Sequence, residues 1–114
     1  MTAPDRMFRA FADQTRLRIL NLLGHGKELC VLDIHEILGL RQPKISRHLA
    51  YLRNAGLVDV RREGRWKHYS LVAPRRGFHR GLLECLRGCS AEVGILRKDL
   101  KSLRGLQARK TTGQ

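Results

Sequence analysis

The sequence contains no long hydrophobic segment and no feature of a secreted protein. A membrane-spanning helix needs about 20 consecutive apolar residues, and no run in these 114 residues approaches that length. The start of the chain, from Met1 to Asp5, lacks the basic residues and the apolar centre of a secretory signal. The sequence therefore predicts a cytoplasmic protein that does not have a membrane as a partner.

Cysteine is scarce, and its number is odd. Cys30, Cys85 and Cys89 are the three cysteines, and no two of them form a Cys-x-x-Cys motif. This spacing argues against a disulfide scaffold and against a four-cysteine zinc site. In a reducing cytosol we expect three free thiols, which could serve as buried small hydrophobes, metal ligands or redox sensors.

Acidic residues are also few, and no catalytic motif is present. The chain has 10 aspartates and glutamates against 23 lysines and arginines, which gives a formal net charge of +13 at pH 7. This imbalance favours a polyanionic partner, and nucleic acid fits it better than a membrane. There is no glycine-rich phosphate loop, no nucleophile with a paired base and no carboxylate pair in one motif. The sequence thus predicts a protein that is not an enzyme and holds no organic cofactor.

Residues 41–56 have the pattern of a short helix that reads DNA. Ile45, Leu49 and Leu52 recur at i, i+4 and i+7, so they form one apolar stripe of a helix. Arginine and lysine can pair with guanine edges or phosphates, glutamine with adenine, and serine with either. The stretch alone also fits a solvated amphipathic helix. Residues of these types occupy its other faces: Gln42, Lys44, Ser46, Arg47 and Arg53.

The segments before this stretch favour the DNA-binding interpretation. Helices are predicted over residues 5–12 and from the capping residues 13–15 to Leu23, with Arg16 and Arg18 facing outward. A further helix is predicted to be capped by Asp33 and closed by Gly39. Two helices joined by a brief turn that contains glycine form a helix-turn-helix.

A hairpin is predicted after residues 41–56. Residues 57–62 and 65–72 are β-like and flank a turn that contains Gly64. The tip carries a positive cluster formed by Arg61, Arg62, Arg65 and Lys67. The predicted fold is therefore mainly α with a β-hairpin, a winged helix-turn-helix. One domain is expected over residues 1–107, followed by a frayed tail over residues 108–114.

The remaining chain, from about residue 78 to 106, carries a heptad-spaced apolar seam. Its members step by four and three residues: Leu82, Leu86, Cys89, Val93, Leu96, Leu100 and Leu103. Such a seam packs against another helix. Since a chain of this size offers no obvious internal partner, we expect a homodimer through the terminal helices. A break near Gly88 into two shorter helices is an open alternative.

With these elements in order, the sequence resembles the ArsR (arsenic-repressor) family of bacterial repressors. Four stretches carry the resemblance: residues 13–20, residues 28–34, residues 42–49 with 52–58, and residues 62–65 through 69–71. The resemblance implies a homodimer that binds a (pseudo)palindromic operator in double-stranded DNA and represses transcription. It also implies that an inducer lowers the affinity for DNA.

The resemblance also assigns DNA contacts. The family's major-groove positions match Gln42, Ser46, Arg47 and His48, and its wing matches Arg62, Arg65 and Lys67. One position departs from the family, since Arg41 stands where a serine often caps the helix. The chain thereby loses a capping oxygen worth ~1 kcal/mol but gains a charge that could reach phosphate. Lys44 joins the predicted DNA-binding residues through its charge.

The inducer implied by the resemblance is a thiophilic ion. Arsenic-sensing members carry a Cys-Val-Cys motif, of which this chain keeps Cys30 and has Leu32 in place of the second thiol. As(III) or Sb(III) prefers three thiolates, so one cysteine there cannot hold it. Cys85 and Cys89 lie at i, i+4 on the predicted helix, which places their β-carbons ~5–6 Å apart. We therefore expect a metal site from Cys30, Cys85 and Cys89, within one chain or across a dimer.

Two other interpretations of the thiols stay open. Each cysteine could be a packing residue, because buried free cysteine behaves as a small hydrophobe. The pair could also form a disulfide or polysulfide bridge in a redox- or sulfide-responsive repressor. Zinc sensing is disfavoured because the histidines and carboxylates are scattered. A non-specific DNA-binding protein would share the charge of +13.

Overall fold

The computed structural model describes residues 2–112, which form helices around a small antiparallel sheet. The helices are α1 (Ala3–Phe11), α2 (Gln14–Gly26), α3 (Val31–Leu38), α4 (Gln42–Asn54), α5 (Gly77–Glu92) and α6 (Gly94–Thr112). The strands are β1 (Leu29–Cys30), β2 (Val58–Glu63) and β3 (Trp66–Leu71), in the order β1-β3-β2. Within residues 2–112, no helix is both long enough and apolar enough to cross a membrane. The predicted fold class, a winged helix-turn-helix, is confirmed.

Helix α2 lies at the centre of the core. It packs against α4, α5, α6 and β3, and its Ile19, Leu20 and Leu22 are almost completely buried. The predicted stripe of α4 completes the core from the other side, because Ile45, Leu49 and Leu52 are fully buried. Burial of each such side chain contributes about 1.5–3 kcal/mol. Packing of this stripe fixes which face of α4 points to solvent.

Two helix starts differ from the predicted ones because a carboxylate binds the backbone of each cap residue. At α1, the backbone N–H of Asp5 donates to Thr2 Oγ1 over 3.3 Å, and the N–H of Thr2 donates to Asp5 Oδ2 over 3.0 Å. At α3, Cys30 is the N-cap, and its N–H donates to Asp33 Oδ2 over 3.2 Å. Asp33 is therefore the third residue of α3 and not its N-cap. Both helices begin earlier than expected because a carboxylate at the third position binds the cap residue.

The end of α2 also lies beyond the predicted one. The helix continues through residues 24–26 and stops at Lys27, whose φ is +67°. A glycine within a helix costs ~1 kcal/mol relative to alanine. Gly26 lies against Leu29 and Leu103 so closely that an added β-carbon would be 3.2 Å from Leu29 Cδ1. Gly26 thus packs closely against Leu29 and Leu103, and the helix ends one residue later, where the φ of Lys27 becomes positive.

Arg18 points inward, contrary to the prediction that it faces solvent. Its Nε and Nη2 atoms donate to Asp99 of α6 over 2.7 and 2.9 Å, and Nη2 lies 3.4 Å from the carbonyl oxygen of Leu38. Asp99 is only 2% exposed. The outward assignment was wrong because the carboxylate that receives Arg18 lies 81 residues away in the sequence. This ion pair joins α2, the end of α3 and α6.

The heptad seam is interrupted, and half of it packs inside the chain. The break lies at Val93, five residues after Gly88, where the backbone is extended (φ −97°, ψ 117°). Beyond it, Leu96, Leu100 and Leu103 are buried against the chain's own core, which includes α2 and α3. The inference that the seam needs a second chain was therefore wrong for α6. Heptad spacing is the same for a partner in the same chain as for one in another.

The expected frayed tail is helical as far as Thr112. Lys110 Nζ donates to Asp33 Oδ1 over 2.7 Å, and Arg109 Nη2 donates to Glu36 Oε2 over 2.8 Å. These contacts attach the last turns of α6 to α3. Residues 113 and 114 lie outside the described part of the chain. The assignment of one domain to residues 1–107 stays a prediction.

Replacement of Asp99 by alanine is expected to lower the free energy of unfolding by about 3–5 kcal/mol, because Arg18 would remain buried without its counter-charge. The measurement is urea denaturation followed by circular dichroism at one fixed protein concentration. The double variant Arg18→Met, Asp99→Leu should recover most of the loss, since both charges are then gone.

The matched control is Asp59→Ala, because Asp59 is an exposed carboxylate on β2. Its effect should stay within about 0.5 kcal/mol. Equal midpoints for Asp99→Ala and Asp59→Ala would contradict the structural role given to the buried pair.

Candidate nucleic-acid interface and thiol site

The polar face of α4 is open to solvent along its first two turns. Because the apolar stripe is buried, the side chains on the opposite side are exposed: Arg41, Gln42, Lys44, Ser46 and Arg47. Arg41 is the N-cap and makes no capping hydrogen bond through its side chain, as expected from the loss of a serine there. The positive end of the helix dipole and three cations thus coincide, an arrangement that favours phosphate.

The hairpin β2-β3 meets α4 along one groove. The groove has a volume of about 500 Å³ and is lined by Gln42, Ser46 and Arg53 of α4 together with Lys67 of β3. Helix and wing therefore form one continuous polar surface. Arg53 was not among the predicted site residues. Its positive charge and its position on the polar side of α4 were sufficient in the sequence to include it.

The wing places like charges opposite each other. In the antiparallel register Arg62 pairs with Lys67, so both side chains lie on one face of the hairpin. Like charges at directly opposite positions destabilise a sheet in the absence of a polyanion. Arg65 is exposed in the turn, next to Gly64, whose φ of +61° suits glycine. The predicted wing cations Arg62, Arg65 and Lys67 are thus all accessible.

Arg61 differs from the other wing cations because its guanidinium is bound to a carboxylate within the chain. Its Nε and Nη2 atoms donate to the two carboxylate oxygens of Glu28 over 3.0 and 2.9 Å. These hydrogen bonds raise the pKa of Arg61 above its ordinary value and lower the pKa of Glu28. Both groups stay charged at neutral pH, so the contact ties β2 to the segment before β1.

His48 faces the protein and not the exposed surface of α4. Its ring is half-buried, and Nδ1 lies 3.4 Å from Arg16 Nη1 and 3.9 Å from Asp13 Oδ1. Because a guanidinium only donates, Nδ1 is the acceptor in the contact with Arg16. Burial lowers the pKa of His48, which favours the neutral ring. In the structure His48 therefore contacts Arg16 and supports the packing of α4 on α2. Its contact with DNA stays a prediction.

Arg16 connects three helices around His48, so the expectation that it faces solvent was wrong. Its Nε and Nη2 atoms donate to the carbonyl oxygens of Ala10 and Arg9 over 2.9 and 3.0 Å at the end of α1. The guanidinium also lies 4.0 Å from the ring centroid of Tyr51 in α4, a cation–π contact. Ala10 and Arg9 precede Arg16 by only six and seven residues, but His48 is 32 residues away. The spacing around Arg16 does not predict the contacts with His48 and Tyr51 of α4.

The structure brings Cys85 and Cys89 together on α5. Cys85 is exposed and Cys89 is half-buried, and both line an open groove of about 460 Å³ with Phe11, Leu17 and Val93. Burial raises the pKa of the Cys89 thiol, and the neighbouring Cys85 thiol raises it further. Two sulfur atoms are therefore available to one ligand in an apolar surface groove.

Cys30 is not brought to this pair. It lies between β1 and α3, in another groove that Glu28 and Trp66 also line. Within residues 2–112, no three side chains of histidine, cysteine, aspartate or glutamate converge in a way that could hold a metal ion. A single chain thus supplies two of the three thiolates that As(III) or Sb(III) prefers. A three-thiol site would need a ligand from elsewhere.

The fold and the exposed basic surface define a winged helix-turn-helix protein. The family described as "Bacterial regulatory protein, arsR family" matches residues 13–60, which run from the cap of α2 into β2. A probable mercury resistance operon repressor of Streptomyces lividans is 38% identical over 79% of this chain and 74% of its own length. The chain belongs to the arsR family of bacterial regulatory proteins. The family and these relatives are regulators, in agreement with the prediction that the chain is not an enzyme.

Two further relatives define the extent of the similarity. The arsenical resistance operon repressor of Escherichia coli K12 is 52% identical over 60% of this chain, which spans only 58% of that relative's length. The solved structure of HlyU from Vibrio cholerae is 31% identical, with a TM-score of 0.68, and the match covers 78% of this chain and 92% of HlyU.

Replacement of Cys85 by alanine should lower the pKa of the Cys89 thiol, since the Cys85 side chain is one cause of its raised value. The pKa should stay above the ordinary value because burial is the first cause. The measurement is the pH dependence of Cys89 alkylation by iodoacetamide, followed by peptide mass spectrometry. An unchanged midpoint would contradict the proximity of the two thiols, and Cys30→Ala is the control expected to change nothing at Cys89.

Proposed function

We propose that the chain is a homodimeric transcriptional repressor that binds an operator in double-stranded DNA. One observation carries this proposal: the exposed polar residues of α4 and Lys67 of the wing line a single groove. An α-helix fits the major groove of B-DNA, and a basic hairpin beside it can contact the adjacent backbone. The relatives described as operon repressors support the same function, and we place it in the cytoplasm together with its operator.

Within this function, the exposed residues of α4 have different roles. Gln42 and Arg47 can read base edges, glutamine at adenine and arginine at guanine. Arg41 and Lys44 flank them at the positive end of the helix and suit phosphate. Ser46 can bind either a base or a phosphate. His48 supports α4 from behind through its contact with Arg16.

The dimer is supported by the apolar groove beside α5. Phe11, Leu17 and Val93 line it, and Phe8 of α1 is 55% exposed. A second copy of the chain would cover these side chains by two-fold symmetry. Two recognition helices would then face half-sites about one DNA turn, or a multiple of it, apart. The dimer thus uses α1 and α5, whereas α6 packs internally.

The proposed inducer is As(III) or Sb(III), bound by the thiolates of Cys85 and Cys89. Each thiol that binds arsenite replaces one hydroxide, and the thiol proton leaves with that hydroxide as water. The third ligand would come from the other protomer, with Cys30 as the predicted candidate. Because the pair lies in the proposed dimer groove, bound ion would alter the packing of α5. Repressors of arsenical and mercury resistance operons among the relatives support a thiophilic inducer.

A thiol response without a metal is the second candidate function. It is favoured by the fact that one chain provides only a pair of sulfur atoms. An oxidant could convert the pair to a disulfide with loss of two electrons and two protons, and sulfide with an oxidant could give a polysulfide bridge.

The double variant Gln42→Ala, Arg47→Ala is expected to reduce discrimination between operator and shuffled DNA, since each base contact contributes ~1–3 kcal/mol. Quantitative gel shifts on the promoter of its own gene and on a shuffled duplex provide the measurement. Unchanged discrimination would contradict the reading role of α4. Arg87→Ala, on the exposed face of α5, is the control expected to retain it.

The double variant Cys85→Ser, Cys89→Ser should bind the operator but stay bound when As(III) or Sb(III) is added. Gel shifts with each ion, and in parallel with Zn(II), peroxide and sulfide, separate the metalloid response from the redox response. Complete release of the double variant by As(III) would exclude the pair as the site. Cys30→Ser, measured separately, tests whether that thiol contributes the third ligand.

A further inference from the structure

Helix α6 is strongly basic although it is not part of the helix-turn-helix. It contains six lysines and arginines and a single acidic residue, Asp99. That carboxylate is buried and bound by Arg18, so it does not neutralise the surface of the helix. By comparison, α4 contains Lys44, Arg47 and Arg53. The DNA contacts proposed above lie on α4 and the hairpin, and none of them involves the cations of α6.

Helix α6 has a buried apolar face and an exposed basic face. Leu96, Leu100, Leu103 and Leu106 are buried on one side. At 3.6 residues per turn, the opposite side presents an exposed stripe that we call the α6 basic face: Arg97, Lys98, Lys101 and Arg104. Arg97 is partly used within the chain, since its Nη1 donates to the carbonyl oxygen of Ala91 over 2.7 Å.

The other three members of the α6 basic face have no carboxylate partner in residues 2–112. The ion pairs of α6 join Asp99 to Arg18, Arg109 to Glu36 and Lys110 to Asp33. Lys98, Lys101 and Arg104 take part in none of them. Three neighbouring cations on one exposed helix face repel each other, and a polyanion would relieve that repulsion.

One edge of this face, at Lys98, lies beside the helix-turn-helix, and Lys101 and Arg104 continue the face around α6 away from α3. Lys110 is bound to Asp33 in the first turn of α3, and Asp99 is held by Arg18 next to the carbonyl oxygen of Leu38 at the end of α3. Helix α6 therefore runs antiparallel to α3. Lys98 and Arg109 lie about three turns apart on the edge that faces α3, because Arg109 contacts Glu36 there. In helix-turn-helix proteins the first helix crosses the DNA backbone.

We infer that the α6 basic face binds the DNA backbone outside the half-site read by α4. This inference rests on the proposed DNA-binding function and extends its footprint. Lys98, Lys101 and Arg104 contact phosphates, so they add affinity and salt dependence without adding sequence preference. The buried pair of Arg18 and Asp99 holds this face in a fixed position relative to α3 and α4.

The test compares the full chain with the triple variant Lys98→Gln, Lys101→Gln, Arg104→Gln by fluorescence anisotropy. The DNA is a minimal operator, or the same operator with one turn of arbitrary duplex added on each side. The variant should lose the gain in affinity that the added duplex gives the unmodified chain. The slope of log K against log salt should fall by ~0.9 for each lost contact. If all three contacts are lost, the fold-decrease in affinity between 50 and 200 mM salt should be about 40 times smaller than for the unmodified chain.

Two further variants separate position from charge. Lys98→Arg, Lys101→Arg, Arg104→Lys keeps the charges and should keep both the slope and the gain from added duplex. Arg75→Gln, Arg76→Gln, Arg87→Gln removes three exposed charges elsewhere and should keep the gain. An equal loss in this last variant would overturn the inference, since net charge alone would then explain it.

The outcome for the inference is distinct from that for the proposed function. A triple glutamine variant that binds both duplexes like the unmodified chain would overturn the inference and leave operator binding intact. Absence of preference for any operator in the unmodified chain would overturn the proposed function instead. Circular dichroism of each variant confirms that the fold is retained.

Discussion

The arrangement of the helices depends on the buried ion pair between Arg18 and Asp99. Arg18 binds both oxygens of this carboxylate, and its Nη2 lies close to the last carbonyl of α3. A buried pair adds little net stability over apolar residues of similar size, but the loss of one partner is costly. Its main consequence is positional. It fixes α6 against the helix-turn-helix, and thereby places the last two turns of α6 next to Asp33 and Glu36 of α3.

The local elements were predictable because local patterns determine them. The stripe of α4 and the hairpin around Gly64 both follow from spacing or turn chemistry within a few residues. The orientation of Arg16 and Arg18 was not predictable in this way. A guanidinium on an amphipathic helix normally faces solvent, and the partners that turn these two inward belong to α1, α4 and α6.

The terminal helices show why the candidate sites were predicted with unequal success. Spacing alone correctly placed Cys85 and Cys89 side by side, because i, i+4 residues share a helix face. The same spacing could not say which helix the seam contacts. The break at Val93 redirects the chain, and Asn21 holds the redirected segment, since its Nδ2 donates to the carbonyl oxygen of Leu96 over 3.2 Å. The sequence shows only an asparagine among the leucines of α2, whereas its burial and its contact with Leu96 are visible in the structure.

Asn21 also connects the thiol pair with the helix-turn-helix through side-chain contacts. Ser90, the residue after Cys89, donates from Oγ to Asn21 Oδ1 over 2.5 Å. Asn21 lies one helical turn after Arg18 in α2, and Arg18 reaches the end of α3. The thiol groove and the helix-turn-helix therefore share α2 as a common rigid element. An ion at Cys89 can lower DNA affinity only if it binds two arrangements of these helices with different affinity. The polar contact of Ser90 with Asn21 joins α5 to α2 at the residue next to Cys89, so a change in the packing of α5 at the thiols would act on this contact.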